Sequence, residues 1–233
     1  MPENLYWQTF PSLASVAGFP HAFTLRHPEI DVRVDREQAL QRLWIWHLDV
    51  AAELEFPPDR LATAQQVHGC DIAVITDPPA IAVQSVDGLI SNQPNVMLGI
   101  YVADCCAVYL ADPVSGAFGI VHSGKNGTAL GITSAAIKLM QRTYGTAAEN
   151  LIVQLSPCIR PPAYEVDFAA AIRDQARTAG VPAKNIHDDL TCTACDPDRF
   201  YSYRREKGKT GRMLALLGKK IAESQGDSAN KLT

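Results

Sequence analysis

A single α/β (α+β) domain, built from mixed β-sheets flanked by helices, is the fold class that this sequence predicts, and three observations carry the prediction. Between Val86 and His122, short apolar runs rich in Val, Ile and Tyr follow one another with little more than turns between them, as packed strands do. Two stretches, from Val34 and from Gly131, instead space their apolar residues as helices do. No internal repeat and no linker divides the 233 residues, and a chain of that length buries roughly 70–75% of its unfolded surface. The domain is set at residues 1–223, with 224–233 (SQGDSANKLT) expected to be a disordered tail.

Taken in order, HAFTLRHP (21–28) reads as a short strand, and a helix follows from Val34 with Ala39, Leu40, Leu43, Ile45, Trp46 and Leu48 on its apolar side. Pro57 and Pro58 stop it. TAQQVHG (63–69) and DIAVIT (71–76) read as two strands parted by Gly69, and ITDPPAIAVQS (75–85) as a turn-rich surface excursion. VDGLIS, VMLGIYVAD, CAVYLAD and AFGIVH supply four more strands. A helix over 131–145 carries Ile132, Ala135, Ala136, Leu139 and Met140 and closes at Gly145. LIVQLSP (151–157) is a strand, and a last helix covers Phe168 to Ala179 before Gly180 and Pro182.

Composition removes several functional classes. At 47% hydrophobic and 20% charged, the chain matches folded soluble domains rather than disordered or fibrous ones. With 21 Lys+Arg against 25 Asp+Glu and no basic run of five or more, nucleic acid is not an expected partner. No membrane partner is expected either, since no stretch reaches the roughly 18 apolar residues that a membrane span requires. The N-terminus lacks the basic and apolar regions of an export signal, so a cytoplasmic location is expected. The six cysteines, Cys70, Cys105, Cys106, Cys158, Cys192 and Cys195, are then expected as free thiols.

The chemistry concentrates in CCAVYLADPVSGAFGIVHSG (105–124), where two apolar strands flank a turn-forming segment. Pairing Pro113 with Gly116 across a two-residue loop sets His122 opposite Ala107, with Cys105 two residues further along the same strand. Strand alternation then puts Cys105, Ala107 and His122 on one face, with diagonal neighbours roughly 7–8 Å apart at the backbone. Thiolate and imidazole both suit zinc, and His68 is the best remaining histidine for a third ligand. The same pair suits a thiol nucleophile with a histidine base, or merely a buried cysteine beside a structural histidine. Asp104 faces the other way in a regular strand and is expected to support this candidate catalytic set from a loop. Cys106 is expected in the core. Cys192 and Cys195 form a CxxC without the second pair that a four-cysteine zinc site requires.

QVHG (66–69), VDGLIS (86–91), VADCCAVYLAD (102–112), GIVHSG (119–124), SPCIRPPAYEV (156–166) and FYSYRREKGKTGR (200–212) occur in that order. Together they resemble the YfiH/laccase-domain family, whose members are described as multicopper polyphenol oxidoreductase-like proteins, zinc-dependent purine nucleoside phosphorylases and peptidoglycan editing factors. The resemblance runs from about residue 20 to about residue 217 and implies a CNF/YfiH-like, cysteine-hydrolase-like fold. It implies one zinc ion held by His68, Cys105 and His122, with Cys105, His122 and Asp104 as the catalytic set. It also implies phosphorolysis of purine nucleosides and deamination of adenosine, with nucleoside and phosphate as the small-molecule partners. Candidate substrate-binding residues are Arg26 in FTLR, Arg36, Asp87 in VDGLIS, Lys125 and Arg205, with Arg204 beside it.

This chain departs from the family where HAGWRG becomes HSGKNG, with Lys125 for Trp and Asn126 for Arg. Losing a planar guanidinium removes a bidentate phosphate fork, which Lys125 replaces only as a point charge. Two alternatives follow: a metal-free Cys105/His122 amide hydrolase of the cell-wall-precursor editing type, and a degenerate, non-catalytic relative. Copper-dependent phenol oxidation fits least, because clustered copper ions need more histidines than six scattered ones supply.

Overall fold

The apolar runs form two sheets in the computed structural model, which describes residues 6–220. The first sheet has the order β1 (Trp7–Gln8), β2 (His21–Thr24), β11 (Met213–Lys219), β6 (Val96–Val102), β3 (Leu61–Thr63). The second runs β10 (Ile186–Asp188), β9 (Ile152–Leu155), β7 (Cys106–Ala111), β8 (Phe118–Ser123), β5 (Gly88–Ser91), β4 (Ile72–Val74). Both are mixed: β3 runs parallel to β6, β4 to β5 and β10 to β9, and the remaining pairs are antiparallel.

The sheets face each other across one core. Ala107, Tyr109 and Ala111 of β7 and Phe118 and Ile120 of β8 meet Phe23, Leu98, Ile100, Met213 and Ala215 of the first sheet. Tyr109, fully buried there, satisfies its hydroxyl by donating to Ala22 O at 2.8 Å, which ties the two layers together. The opposite face of β7, with Cys106, Val108 and Leu110, is covered by α4 (Ile132–Tyr144) and α5 (Phe168–Thr178). On the far side of the first sheet, Ala22, Met97, Leu214 and Leu216 pack against Val50 and Ala51 of α2 (Arg36–Glu53). The result is a four-layer helix–sheet–sheet–helix sandwich, to which α1 (Pro11–Ala14) and α3 (Lys125–Ala129) add short turns.

The helices form where the sequence places them, for identifiable reasons. Asp35 caps α2 by accepting from Gln38 N at 3.0 Å, and Ala39, Leu43, His47, Val50 and Ala51 make its buried stripe. Ile45, expected on that apolar side, instead points to solvent at 67% exposure. Gly145 takes the left-handed conformation (φ 69°) that closes α4, and Gly180 (φ 98°) follows α5. None of the helices among the described residues is long and apolar enough to cross a membrane. The tail expected at 224–233 lies outside the described residues.

Two expectations are corrected. TAQQVHG pairs as a strand only through Thr63, with a single bridge from Ala64 to Val83, and residues 65–69 form a loop. The β7–β8 connection is a four-residue loop at 113–116, closed by Gly116 N donating to Asp112 O and Asp112 N to Ala117 O. Its register nonetheless sets Ala107 opposite His122, because lengthening a hairpin loop by one residue on each side preserves the pairing.

Candidate metal centre and active-site cavity

His122 ends the inward-facing row of β8, and Cys105 lies just before β7, continuing the ladder opposite Gly124. A Cβ at position 124 would collide with Cys105 Sγ, so the absence of a side chain there makes room for the thiol. His68 comes from the 65–69 loop, which crosses from β3 in one sheet to β4 in the other. Its backbone is left-handed (φ 62°), a conformation that costs a histidine about 1 kcal/mol. Three hydrogen bonds hold it there. Val67 N, His68 N and Gly69 N donate to the Asp87 carboxylate at 3.1, 3.0 and 2.7 Å.

The same carboxylate accepts from His122 Nδ1 at 2.8 Å, which leaves Nε2 of that ring free to ligate. One buried carboxylate thus orients two histidines on different segments. His68, Cys105 and His122 bring their ligand atoms within 4.8 Å of one another, and the two imidazole rings meet edge to face at 4.8 Å. Tetrahedral zinc with nitrogen and sulfur ligands spaces its donors roughly 3.3–3.8 Å apart, so small side-chain rotations close this set around an ion. Two imidazoles and a thiolate are donors that zinc prefers.

Electrostatics agree with that donor set. Burial pushes the Cys105 thiol up, but hydrogen bonds and charge from His122 and His68 outweigh it and bring the thiol down to about 6. For His122, burial favours the neutral ring, yet Asp87 and Cys105 raise it to about 9. Asp87 is opposed by burial but lowered to about 2 by His122 and the loop amides. These shifts favour a thiolate, an imidazolium and a carboxylate in line.

The donors open onto a cavity of about 820 Å³. Tyr101, Ile159, Tyr164, Phe168 and Tyr203 give it an apolar and aromatic lining. Arg36, Lys125, Arg204, Lys207, Lys209 and Arg212 make it cationic, against the carboxylates of Asp35 and Asp104. Asp104, also left-handed (φ 80°), accepts from Thr193 Oγ1 at 2.7 Å, Ser202 Oγ at 3.0 Å and Arg204 N at 2.7 Å. That carboxylate staples the 193–195 turn and the 200–212 loop to the rim.

Of the expected substrate binders, Arg36, Lys125 and Arg204 line the cavity. Arg26 instead pairs with Glu206 at 2.7 Å and stacks on Tyr201, bracing the 200–212 loop from behind. Arg205 does not line the cavity, and Asp87 is fully buried beneath the histidines. Asn126 is exposed and does not line the cavity, so of the two substituted positions only Lys125 reaches it. Arg212, Tyr203, Lys207 and Lys209 escape the residue-by-residue reading. Their signal is the aromatic and cationic run FYSYRREKGKTGR, with Gly208 and Gly211 allowing close turns.

The family model described as "Multi-copper polyphenol oxidoreductase laccase" matches residues 46–170 and 164–220. The curated "Purine nucleoside phosphorylase YlmD" of Geobacillus stearothermophilus is 32% identical over 228 residues, covering 82% of this chain and 81% of the relative. The "Purine nucleoside phosphorylase" of Deinococcus radiodurans is 30% identical, covering 90% of this chain and 93% of its own. The crystal structure of the Geobacillus YlmD superposes with a TM-score of 0.83 at 29% identity, covering 95% of this chain and 98% of that one. The Bacillus licheniformis hypothetical protein YfiH superposes with a TM-score of 0.77 at 25% identity, covering 87% and 93% of the two chains. On sequence and fold together, this chain belongs to the YfiH/laccase family that the model describes.

Proposed function

We propose that this chain is a zinc-dependent purine nucleoside phosphorylase that also deaminates adenosine, its ion held by His68, Cys105 and His122. The observation that carries the reading is the convergence of these three donors on a cavity with a cationic wall and aromatic flanks. The substrate class is supported by the relatives named purine nucleoside phosphorylase. Zinc bound there supplies Lewis-acid polarisation.

The chain's own residues provide the rest. Asp87 keeps the proton of His122 on Nδ1, so the ring presents its other nitrogen to the centre. Tyr101, Tyr164, Phe168 and Tyr203 offer surfaces against which a purine stacks, and the cationic side chains hold the anionic co-substrate. In phosphorolysis a phosphate oxygen bonds to the ribose C1′ as the C1′–N9 bond breaks, and the purine leaves with the electron pair and takes up a proton. Orienting phosphate and nucleoside in one cavity converts that encounter into an effectively intramolecular step.

Elemental analysis with an inosine and adenosine assay, run with and without phosphate, tests the reading. One zinc per chain and phosphate-dependent release of hypoxanthine are expected, together with phosphate-independent ammonia from adenosine. In Cys105→Ser, zinc content and both activities fall by at least about tenfold, since a thiolate ligand is lost. Equal metal and equal activity in wild type and variant overturn it.

A second reading rests on a separate observation, the depressed thiol beside a raised imidazole held by a carboxylate. That line suits a cysteine nucleophile acting on an amide bond. Iodoacetamide separates the two: zinc that blocks alkylation of Cys105 favours the metalloenzyme, and unhindered alkylation with loss of amidase activity favours the hydrolase.

A further inference from the structure

The cavity has two chemically distinct walls. All three metal donors belong to the second sheet or to the loop entering it, whereas Arg36 opens α2 and Arg212 immediately precedes β11, both on the side of the first sheet. Arg212 is 9% exposed, and its Nη1 donates to Thr210 O and Gly211 O at 2.9 Å each. Those two bonds turn one edge of the guanidinium to the backbone. Neither Arg212 nor Arg36 forms an ion pair with any carboxylate among the described residues, although both line the cavity.

Burial lowers the Arg212 guanidinium and the charge of Arg36 lowers it further, against the opposing charges of Tyr203, Cys105 and Asp104, so the two cations that line one cavity repel each other. A buried arginine with a like charge nearby and no carboxylate in ion-pair contact is costly unless an anion joins the two. The neighbouring carboxylates are bonded elsewhere and form no ion pair with either. Asp35 Oδ1 caps α2 through Gln38 N, and Asp104 is engaged by Thr193, Ser202 and Arg204. The α2 N-terminus adds little for a ligand because Asp35 already satisfies it. Tyr203 packs over Arg212 with its ring centre 5.9 Å from Cζ.

We propose that Arg36 and Arg212 form the anion subsite of this cavity and hold the tetrahedral oxyanion of inorganic phosphate opposite the metal centre. The assignment rests on the phosphorolysis reading for its choice of phosphate, but its geometry is independent of that reading. It also resolves the departure in HSGKNG: the guanidinium fork missing beside His122 is supplied from the other sheet, and Lys125 contributes only a point charge. A free phosphate and the phosphoryl group of a nucleotide share this chemistry, so both are probed.

The experiment titrates inorganic phosphate, and separately inosine 5′-monophosphate, into zinc-loaded wild type, Arg36→Gln, Arg212→Gln and the control Arg33→Gln by calorimetry. Arg33 is an exposed residue paired with Asp31, away from the cavity lining. Arg36→Gln and Arg212→Gln are expected to weaken phosphate binding by about ten- to a hundredfold, the loss of a charge-assisted contact, with zinc content unchanged and Arg33→Gln like wild type. Arg36 is exposed at the start of its helix, so its variant stays folded and decides the matter even if Arg212→Gln does not fold.

Phosphate bound by wild type and lost in Arg36→Gln supports the subsite even where no nucleoside is cleaved, in which case only the phosphorolysis reading fails. If inosine cleavage requires phosphate while both variants keep the wild-type phosphate KM, the subsite is wrong and the function stands. Weakened binding of the monophosphate alone, with no inorganic phosphate bound by wild type, overturns the assignment to free phosphate.

Discussion

Asp87 accepts four hydrogen bonds with a side chain that has no solvent exposure. Its depressed pKa makes it a stability element with a definite sign. The carboxyl sits at about 2 in the folded protein against 3.8 ordinarily. Its contribution is therefore complete above about pH 4 and is lost as pH falls from there through about 2, a difference of about 2 kcal/mol. In metal-free protein, Asp87→Asn should lower stability at pH 6 by at least that much and flatten the loss between pH 4 and pH 2; denaturant melts at pH 6, 4 and 3 measure both. A variant that keeps the wild-type acid limb would remove Asp87 from this role. No periodicity announces such a residue: in VDGLIS it reads equally as a ligand contact or a turn cap, because its partners lie 18 to 35 positions away.

At the scale of elements, the β7–β8 hairpin carries the site. Cys105 and His122 were legible in sequence because side-chain parity depends on the register and not on the length of the loop. His68 was not legible by that route, since a left-handed loop residue held by a remote carboxylate leaves no alternating pattern. Gly124 tests the hairpin directly. Its backbone is ordinary (φ −101°), so an added methyl acts through space alone, against Cys105 Sγ. Gly124→Ala should cost about 1–3 kcal/mol through overpacking and reduce zinc affinity by about tenfold or more, read by competition with a chelator. Gly127→Ala, whose nearest contact is His122 O at 3.1 Å, should perturb zinc less; the reverse order would reject the account.

For the molecule as a whole, the class of fold was readable and the division into two sheets was not. Strands such as β7 are buried on both faces, so their sequence is a continuous apolar run that does not say which sheet they join. β11, central to the first sheet, lies in MLALLGK, which carries no turn or alternation to mark its neighbours. The crossover from β3 to β4 has a mechanical consequence. Because His68 rides on the strap between the sheets while Cys105 and His122 belong to the second, ligation acts as a rivet through that strap, resisting separation of the two halves. Hydrogen exchange reads this motion without any substrate: the Val67, His68 and Gly69 amides, outside any sheet ladder, should exchange as slowly as strand amides. Zinc should slow them by a further order of magnitude or more while leaving the α4 and α5 amides, on the far layer, unchanged.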